Sequence, residues 1–302
     1  MPLINLLSYA GLPDGDPDDL SISALLAERG IEIAVRDWRT LELNQSDNYS
    51  NDDTLYLLRS TWDYDSHYDQ FMAFVDRVPG LINTAATVKW NADKSYLQHF
   101  DKAAPSLFVG RHLDDYNHFG LSVLEKGWKD IIVKPCVGLS THGVKRFVDC
   151  NSEQSLYRAW EHARRLAESA PVMVQRFIES VETYRERSLI FIDGEFTHSV
   201  SKTAFQSMAP AGEAGEKAEV ASEAEIDFAQ GVMDRFMELG VGPCPVYARV
   251  DIVRDDDNGY FLLELELIEP SLFLSYSAKA RQKLVDALSR KLIELSTHTI
   301  KD

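Results

Sequence analysis

The sequence predicts an α/β fold in which an N-terminal parallel-sheet domain precedes two further subdomains. Near the start of the chain, apolar segments of strand length alternate with a segment of helical periodicity, an order typical of parallel sheets. Further on, residues 131–175 follow the order strand, glycine loop, strand, long helix, strand, which is typical of a small α/β module. At 302 residues and 45% hydrophobic, the chain can form two or three subdomains with substantial cores.

The first domain is expected over residues 1–85. It begins with a strand at residues 3–8, and a helix is predicted over residues 18–29, where leucines and alanines recur at helical spacing. Strands follow at residues 31–35 and 54–59. The connections between these elements are short, which favours parallel pairing through a β-α-β-like unit.

A polar and aromatic cluster, Arg-Ser-Thr-Trp-Asp-Tyr at residues 59–64, follows the third strand. Open α/β sheets place ligands at the carboxyl ends of their strands, so Arg59, Trp62 and Asp63 are candidate substrate residues. The alternative interpretation is a helix N-terminus capped by a polar side chain, with Trp62 packed in the core. The cluster by itself leaves both interpretations open.

The second domain, residues 86–175, is expected to contain a linker helix and a small lid subdomain. The third, residues 176–302, is expected to form the C-terminal subdomain with the metal site. A long helix is predicted over residues 153–169, and Pro171 separates it from a strand at residues 172–175. Residues 208–225 are rich in Ala, Gly and Glu, and we expect a mobile loop there that closes over a ligand.

Two strands near the C-terminus carry alternating charges, because Arg249 and Asp251 share one strand face and Glu264 and Glu266 share another. The turn-prone residues 255–259 between them suggest a hairpin. A loop of two or four residues would set Asp251 opposite Glu264 and Arg249 opposite Glu266. Facing carboxylates suit Mg²⁺ bridging to phosphate; the alternative is an exposed strand with a solvated face.

A strand at residues 131–135 is interrupted by Lys134 and followed by a small-residue loop. Backbone N–H groups of such a loop can cover phosphates, and a lysine in a buried strand is costly unless it meets an anion. The alternative for Lys134 is an ammonium group that reaches solvent. Neither the dinucleotide-binding glycine motif nor the P-loop motif occurs here. The candidate binding residues in this loop are Ser140, Thr141, His142 and Gly143, with His142 assigned to a lid rather than to a base.

The composition excludes several other classes. A formal net charge of −17 disfavours nucleic acid and anionic membranes as partners. No Lys or Arg precedes Arg29, and no apolar run approaches the roughly 20 residues that span a bilayer, so a cytoplasmic location is expected. The three cysteines lack metal-ligand spacing, and we expect them to be reduced and structural.

Taken in order, five motifs resemble the ATP-grasp superfamily over residues 85–275. They are Asn91-x-Asp-Lys94, Val133-Lys134-Pro135, Val174-Gln-Arg-Phe-Ile178, Arg249-x-Asp251 and Glu264-x-Glu266. Residues 59–64, 193–198 and 263–273 further resemble the branch related to glutathione synthetase that includes the cycloserine-forming O-ureido-D-serine cyclo-ligase. The chain departs from the common pattern at Glu266, where Asn is usual, and at Pro270, which lies one residue farther on.

The resemblance implies that two subdomains clamp ATP between them, and it assigns roles by position. Either Glu186 or Glu182 would bind the ribose, with Glu186 preferred. Lys202 and Arg249 would be catalytic, near the transferred phosphate. The remaining implied residues are Lys94 and Lys134 on the phosphates and the adenine side, Gln175, Arg176, Phe177 and Ile178 as the adenine hinge, and Asp251, Glu264 and Glu266 as ligands of Mg²⁺, with Mn²⁺ as a substitute.

The expected function is therefore an ATP- and Mg²⁺-dependent ligase that forms C–N bonds on a small amino-acid-like substrate. A substrate carboxylate would become an acyl phosphate and be captured by a nitrogen nucleophile, within one molecule if the enzyme is a cyclo-ligase, releasing ADP and phosphate. The alternatives are a small-molecule kinase on the same scaffold and a nucleotide-binding module without turnover. A homodimer is the expected oligomer, because twofold dimers are the most common.

Overall fold

The computed structural model describes residues 2–43, 53–111, 113–139, 142–203, 215–254 and 259–299. Within these ranges the strands form one parallel sheet and two antiparallel sheets, which matches the predicted α/β class. All three cysteines are free, with Cys136 and Cys150 buried and Cys244 exposed. No helix in the described part of the chain is both long enough and apolar enough to cross a membrane.

The parallel sheet forms the N-terminal part of the molecule, in the strand order β2-β1-β3-β4. Strand β3 is buried along its whole length because alternate residues enter two different cores. Leu55 and Leu57 pack toward the C-terminal helix, whereas Tyr56 and Leu58 pack with Phe71. The strands are β1 Leu3–Ser8, β2 Glu32–Asp37, β3 Thr54–Ser60 and β4 Leu81–Ile82.

The single helix predicted over residues 18–29 is wrong. Two short helices, α1 Pro17–Leu20 and α2 Ser23–Ala27, occupy this segment. The break turns two carboxylates toward distant partners: Asp18 accepts from the backbone N–H groups of residues 274 and 275, each at 2.7 Å, and Asp19 accepts from Arg59 at 2.9 Å. Tertiary contacts therefore override the local helical periodicity here.

The small antiparallel sheet has the order β5-β8-β6-β7 and is covered on one face by two helices. The predicted long helix is present as α6 Glu153–Ala167, and the strand predicted after Pro171 is β8. The elements are β5 Ser106–Val109, α5 Tyr116–Glu125, β6 Ile131–Pro135, β7 Lys145–Phe147, α6 and β8 Val172–Arg176.

The larger antiparallel sheet has the order β11-β10-β9-β12-β13. Helix α7 covers one face, and helix α8 fills the space between the other face and the parallel sheet. The remaining elements are α3 Tyr68–Val75, α4 Ala85–Asn91, β9 Glu186–Ile192, β10 Glu195–Lys202, β11 Lys217–Glu219, α7 Glu223–Glu238, β12 Tyr247–Arg254, β13 Tyr260–Glu266, α8 Ala278–Thr299 and 3₁₀ segments at Tyr64–His67, Lys94–His99, Glu179–Glu182 and Leu274–Tyr276.

The mobile loop predicted at residues 208–225 is wrong where the structure describes it, and residues 208–214 lie outside the described ranges. Strand β11 and the start of α7 lie in the rest of the segment. Ser222 and Glu225 form a capping box, in which the hydroxyl accepts from one backbone N–H and the carboxylate from the other. The spacing Ser-x-x-Glu before an apolar periodic run was the sequence signal for this helix.

Candidate active site

A cavity of about 570 Å³ is lined by residues of both antiparallel sheets and by residues of the segment that follows strand β3 of the parallel sheet. Of the residues predicted from the sequence, four that the structure describes do not line it: Arg59, Asp63, Gly143 and Glu182. Ser140 and Thr141 lie outside the described residues. The predicted residues that line the cavity are Trp62, Lys94, Lys134, His142, Gln175, Arg176, Phe177, Ile178, Glu186, Lys202, Arg249, Asp251, Glu264 and Glu266.

The acidic strand pair forms the floor of this cavity. In the β12–β13 hairpin, Asp251 pairs with Glu264 and Arg249 pairs with Glu266, which confirms the predicted facing. The expected even-numbered loop is wrong, because the terminal pair Arg254 and Tyr260 leaves the five residues 255–259 between the strands. A register shift of one residue after Asp251 restores the predicted pairing.

Cations neutralise the carboxylates of the floor. Asp251 is 2% exposed and accepts from both the Nε and Nη2 atoms of Arg249 at 2.9 Å, from Lys202 at 3.0 Å and from the Ser188 hydroxyl at 2.6 Å. Arg249 also donates to Glu266. Burial alone would raise the pKa of Asp251, but Arg249 and Lys202 hold that pKa well below its usual value. Asp251 is therefore a permanent anion.

The two glutamates of β13 differ in their protonation. Burial raises the pKa of Glu264, but Lys134 at 2.8 Å and the charge of Lys94 lower it to about 2. The pKa of Glu266 is raised to about 7, mainly by burial. The charge of Arg249 lowers this pKa, whereas the nearby negative charges of Asp251 and Glu264 raise it further. At neutral pH Glu264 is therefore ionised, and Glu266 is the carboxyl group of the floor that is most easily protonated.

Asn91 and Tyr96 fix the open edge of β13. The Asn91 side chain donates to the carbonyl of Leu265 at 2.7 Å and accepts from the N–H of Leu267 at 2.8 Å. The Tyr96 hydroxyl lies 2.8 Å from both the N–H and the carbonyl of Leu265. These side chains replace the missing neighbouring strand, so the asparagine of the Asn91-x-Asp-Lys94 motif positions the face that carries the carboxylates.

Lys94 and Lys134 enter the cavity from different elements. Lys94 begins a 3₁₀ segment whose first turn is capped by Asp93, and its ammonium donates to the carbonyl of Gly138 at 2.8 Å. Lys134 lies on β6, and its side chain is only 10% exposed. Its ammonium group bonds Glu264 across the cavity and does not reach solvent, so the solvent alternative is wrong in this structure.

The end of β8 and the residues that follow it line another side of the cavity. Gln175 is 2% exposed and donates to the Ser106 hydroxyl at 3.2 Å. Phe177 packs under the guanidinium of Arg146, whose carbon lies 3.4 Å from the ring centroid. The same guanidinium binds Glu182 at 2.6 Å. Of the two ribose candidates, Glu182 is thus engaged outside the cavity, whereas Glu186 lines it and pairs with Lys202 at 2.5 Å.

The glycine loop contributes His142 to the cavity. The imidazole is 82% exposed, and its Nδ1 atom lies 3.5 Å from a carboxylate oxygen of Asp65, a partner that no sequence proximity indicates. Gly143 adopts φ +74° and its carbonyl accepts from His162 at 2.8 Å, assuming the tautomer with Nε2 protonated. The loop is thereby tied to α6 on one side and faces the parallel sheet on the other.

The substrate cluster at the end of β3 is divided between the cavity and the interior. Trp62 is 38% exposed and lines the cavity. Arg59 is 3% exposed, bonds Asp19 at 2.9 Å and donates to the carbonyl of Pro270 at 2.6 Å. Asp63 accepts from the indole N–H of Trp38 at 2.7 Å. Arg59 and Asp63 therefore support the cavity wall from behind.

Sequence reasoning missed several lining residues, including Tyr64, Glu216 and Glu269. Burial raises the pKa of Glu269 to about 8, with Glu266 adding to the effect. Glu269 is the third acidic residue in the run Glu-Leu-Glu-Leu-Ile-Glu. It lies three positions after Glu266, so the two-residue alternation of a strand did not indicate that it shares a face with Glu266. Glu216 carried no motif, and its placement follows from β11 pairing with β10.

The donor set of the floor suits Mg²⁺, since carboxylate oxygens are the ligands that this cation prefers. Among the described residues, no group of three or more acidic, His or Cys side chains is gathered closely enough to hold a metal ion. Instead Lys134, Lys202 and Arg249 lie on the carboxylates. Each of these cations also lines the cavity, where bound phosphate groups would attract it and free carboxylate oxygens for a metal.

The comparisons with known proteins agree with this geometry. Residues 4–86 match the family model described as the N-terminal domain of the D-cycloserine synthetase DcsG. The cycloserine biosynthesis protein DcsG of Streptomyces lavendulae is 29% identical over 251 residues, covering 78% of this chain and 82% of the relative. The crystal structure of D-cycloserine synthetase DcsG aligns with a TM-score of 0.78 and 26% identity, over 96% of this chain and 99% of that one.

A further solved structure shares the fold. The ATP-grasp ligase PsnB, complexed with a minimal precursor, Mg and ADP, aligns with a TM-score of 0.59 and 18% identity, over 96% of this chain and 98% of that one. The chain has the fold of the ATP-grasp ligases.

Proposed function

We propose that this ATP-grasp ligase activates the carboxylate of a small amino-acid-like substrate as an acyl phosphate and joins it to a nitrogen nucleophile, releasing ADP and phosphate. The observation that supports the proposal most is the β12–β13 register, which places Asp251 opposite Glu264 and Arg249 opposite Glu266 on one cavity face. Lys134 and Lys202 reach the same carboxylates. Such a surface suits metal-bridged phosphate groups.

The nucleotide would lie along the side wall. In this proposal Gln175 to Ile178 contact the adenine, Glu186 receives the ribose hydroxyls, and Lys94 and Lys134 neutralise the phosphates. Glu186 is preferred to Glu182 because it lines the cavity, whereas Glu182 is 57% exposed and engaged by Arg146. Bound Mg²⁺, held by Asp251, Glu264 and Glu266, would neutralise phosphate oxygens and align them for transfer; Mn²⁺ is expected to substitute, since it accepts the same oxygen ligands.

The chemistry would occur above Arg249. A substrate carboxylate oxygen attacks the γ-phosphorus, the bond to the bridging oxygen breaks, and ADP leaves. Arg249 and Lys202 stabilise the charge on the transferring phosphoryl group and then on the acyl phosphate. The nitrogen nucleophile next attacks the acyl carbon and phosphate departs. The names of the D-cycloserine synthetase relatives favour a nucleophile within the same substrate molecule, which would make the product cyclic.

The test is substrate-dependent ADP release by wild-type protein and by Glu264→Gln. The panel is D-alanine, D-serine, O-ureido-D-serine, their L enantiomers and propionate. We expect release with at least one amino acid and a roughly 100-fold lower rate in Glu264→Gln, with a higher Mg²⁺ requirement. Glu238→Gln is the matched control, because Glu238 is 66% exposed on α7 and pairs only locally with Arg235.

Three results would contradict the proposal or its assignments. Near wild-type turnover in folded Glu264→Gln would remove this residue from the metal site. A stable phosphorylated product without nitrogen consumption would instead indicate a phosphotransferase. ATP binding without ADP formation across the whole panel would indicate a binding module. Sedimentation at several concentrations would test the proposed homodimer.

A further inference from the structure

One buried acidic side chain in the cavity differs from the paired carboxylates around it. Glu186, Asp251, Glu264 and Glu266 each pair with a lysine or arginine. Glu269 also lines the cavity and is 9% exposed, yet its Oε2 atom has no hydrogen-bond partner in the described part of the chain. A buried carboxyl oxygen without a partner is costly, and such groups are commonly completed by a ligand.

The backbone around Glu269 is held on both sides. The carbonyl of Pro270 accepts from the buried Arg59 at 2.6 Å, and the carbonyl of Ser271 accepts from Arg249 at 3.3 Å. On the preceding side, the carbonyl of Ile268 accepts from the Tyr247 hydroxyl at 2.9 Å. These contacts fix the backbone position from which the Glu269 side chain extends, three residues beyond Glu266 of the floor. The arrangement suits a group that must meet a ligand in one place.

The chemistry of the surroundings favours an N–H group as that ligand. The charged and titratable groups that face Glu269 are Glu266, Lys94, Arg59, Arg249, Tyr64 and Tyr247. The cations among them are directed elsewhere: Arg59 to Asp19 and Pro270, Arg249 to Asp251 and Glu266, and Lys94 to Gly138. The partner that remains to be supplied is a donor, and an amine or similar nitrogen provides one together with a compensating charge.

We propose that Glu269 receives the attacking nitrogen of the substrate and takes its proton as the C–N bond forms. This inference rests on the proposed ligase function. In the step, the nitrogen lone pair forms a bond to the acyl carbon, the bond from that carbon to the phosphate oxygen breaks, and its electron pair leaves with phosphate. The proton that the nitrogen loses passes to the Glu269 carboxylate. Burial makes this carboxylate a stronger base than an exposed one, with a pKa of about 8.

The test separates the two half-reactions. Wild-type protein, ATP and Mg²⁺ are incubated with each acid of the panel and hydroxylamine, and the hydroxamate is measured. Hydroxylamine is largely neutral at neutral pH and captures an acyl phosphate without an enzyme base. In parallel, condensation of the same acid without hydroxylamine is followed by mass spectrometry. For Glu269→Gln, we expect hydroxamate within about twofold of wild type and condensation about 100-fold lower.

Two further measurements distinguish a base from a structural residue. Condensation by wild-type protein is expected to rise with pH through about 8, and this rise is expected to be absent in Glu269→Gln. Glu269→Asp keeps a carboxylate and is expected to condense faster than Glu269→Gln at a similar hydroxamate rate. Glu238→Gln, exposed on α7, is the control for both reactions.

The outcomes that overturn the inference are distinct from those that overturn the ligase proposal. Equal losses of hydroxamate and condensation in Glu269→Gln, with an increased Mg²⁺ requirement, would assign Glu269 to metal binding or structure. Unchanged condensation in that variant, or slower condensation in Glu269→Asp than in Glu269→Gln, would also refute it. Absence of hydroxamate with wild-type protein on every acid would refute the acyl phosphate itself, and the inference with it.

Discussion

Replacement of Arg59 by Met tests whether this residue supports the fold or binds substrate. Its guanidinium bonds Asp19 at 2.9 Å and the Pro270 carbonyl at 2.6 Å, and its central carbon lies 4.8 Å from the Tyr247 ring centroid. Burial alone would lower the pKa of Arg59, but Asp19 raises it. Arg59→Met keeps much of the side-chain volume and leaves the Asp19 carboxylate buried without its partner.

The expected cost follows from that burial. Removing one member of a buried ion pair costs about 3–5 kcal/mol, most of it from the uncompensated charge that remains. The double variant Asp19→Asn with Arg59→Met removes both charges and is expected to be more stable than Arg59→Met alone. The control is Arg29→Met, because the Arg29–Asp286 pair has side chains 34% and 52% exposed, and such surface pairs contribute about 1 kcal/mol or less.

Urea unfolding followed by tryptophan fluorescence measures these differences, and the steady-state KM for the active panel substrate is measured in parallel. Arg59→Met is expected to lower the unfolding free energy and, through Pro270, to impair turnover. The reasoning fails if Arg59→Met changes the unfolding free energy by no more than Arg29→Met while raising KM about tenfold or more. That result would assign Arg59 to the substrate, as the sequence first suggested.

Three further predictions concern other parts of the site. Asn91→Ala leaves the N–H of Leu267 without its partner, whereas the Leu265 carbonyl keeps its bond from Tyr96, and the change is expected to lower the unfolding free energy by about 1–3 kcal/mol in the same assay. Gly143→Ala is expected to cost about 1–2 kcal/mol, because φ is +74° and an added Cβ would lie 3.1 Å from Leu166. Burial lowers the pKa of His198 despite its bond to the Phe273 carbonyl. The unfolded state therefore binds more protons below the ordinary histidine pKa of about 6.5, and stability should fall from pH 7 to 5 less steeply in His198→Asn.

The parts of the fold that local periodicity determines could be predicted from the sequence. Strand β3 and helix α6 follow from local sequence patterns, whereas the pairing of Asp251 with Glu264 also depends on a register shift that the sequence did not indicate. The predicted helix at residues 18–29 failed because Asp18 and Asp19 bind partners more than 35 positions away in the chain. Local sequence contains no information about such contacts.

The candidate site was predictable where charge occurs on a strand, as at Lys134 and Glu264, since an ionic group in such a segment needs a partner. The sequence was less informative about residues that support the cavity wall without lining the cavity. Arg59 and Trp62 are three positions apart, yet one is buried and the other lines the cavity. Which of the two side chains turns inward depends on the backbone geometry after β3 and on the position of Asp19. Neither can be inferred from the types of residue in the cluster.

The net charge of −17 is compatible with the proposed binding of a polyanionic nucleotide because cations are gathered in the cavity. Lys134, Lys202 and Arg249 are held there by carboxylates, and the pKa of Lys202 is raised by Asp251 and Glu186 although burial opposes it. If phosphate groups displace the carboxylates from these cations, the freed oxygens attract a divalent metal. ATP and Mg²⁺ should therefore bind cooperatively. Equal nucleotide affinity with and without Mg²⁺ in calorimetric titrations would show that this exchange of partners does not occur.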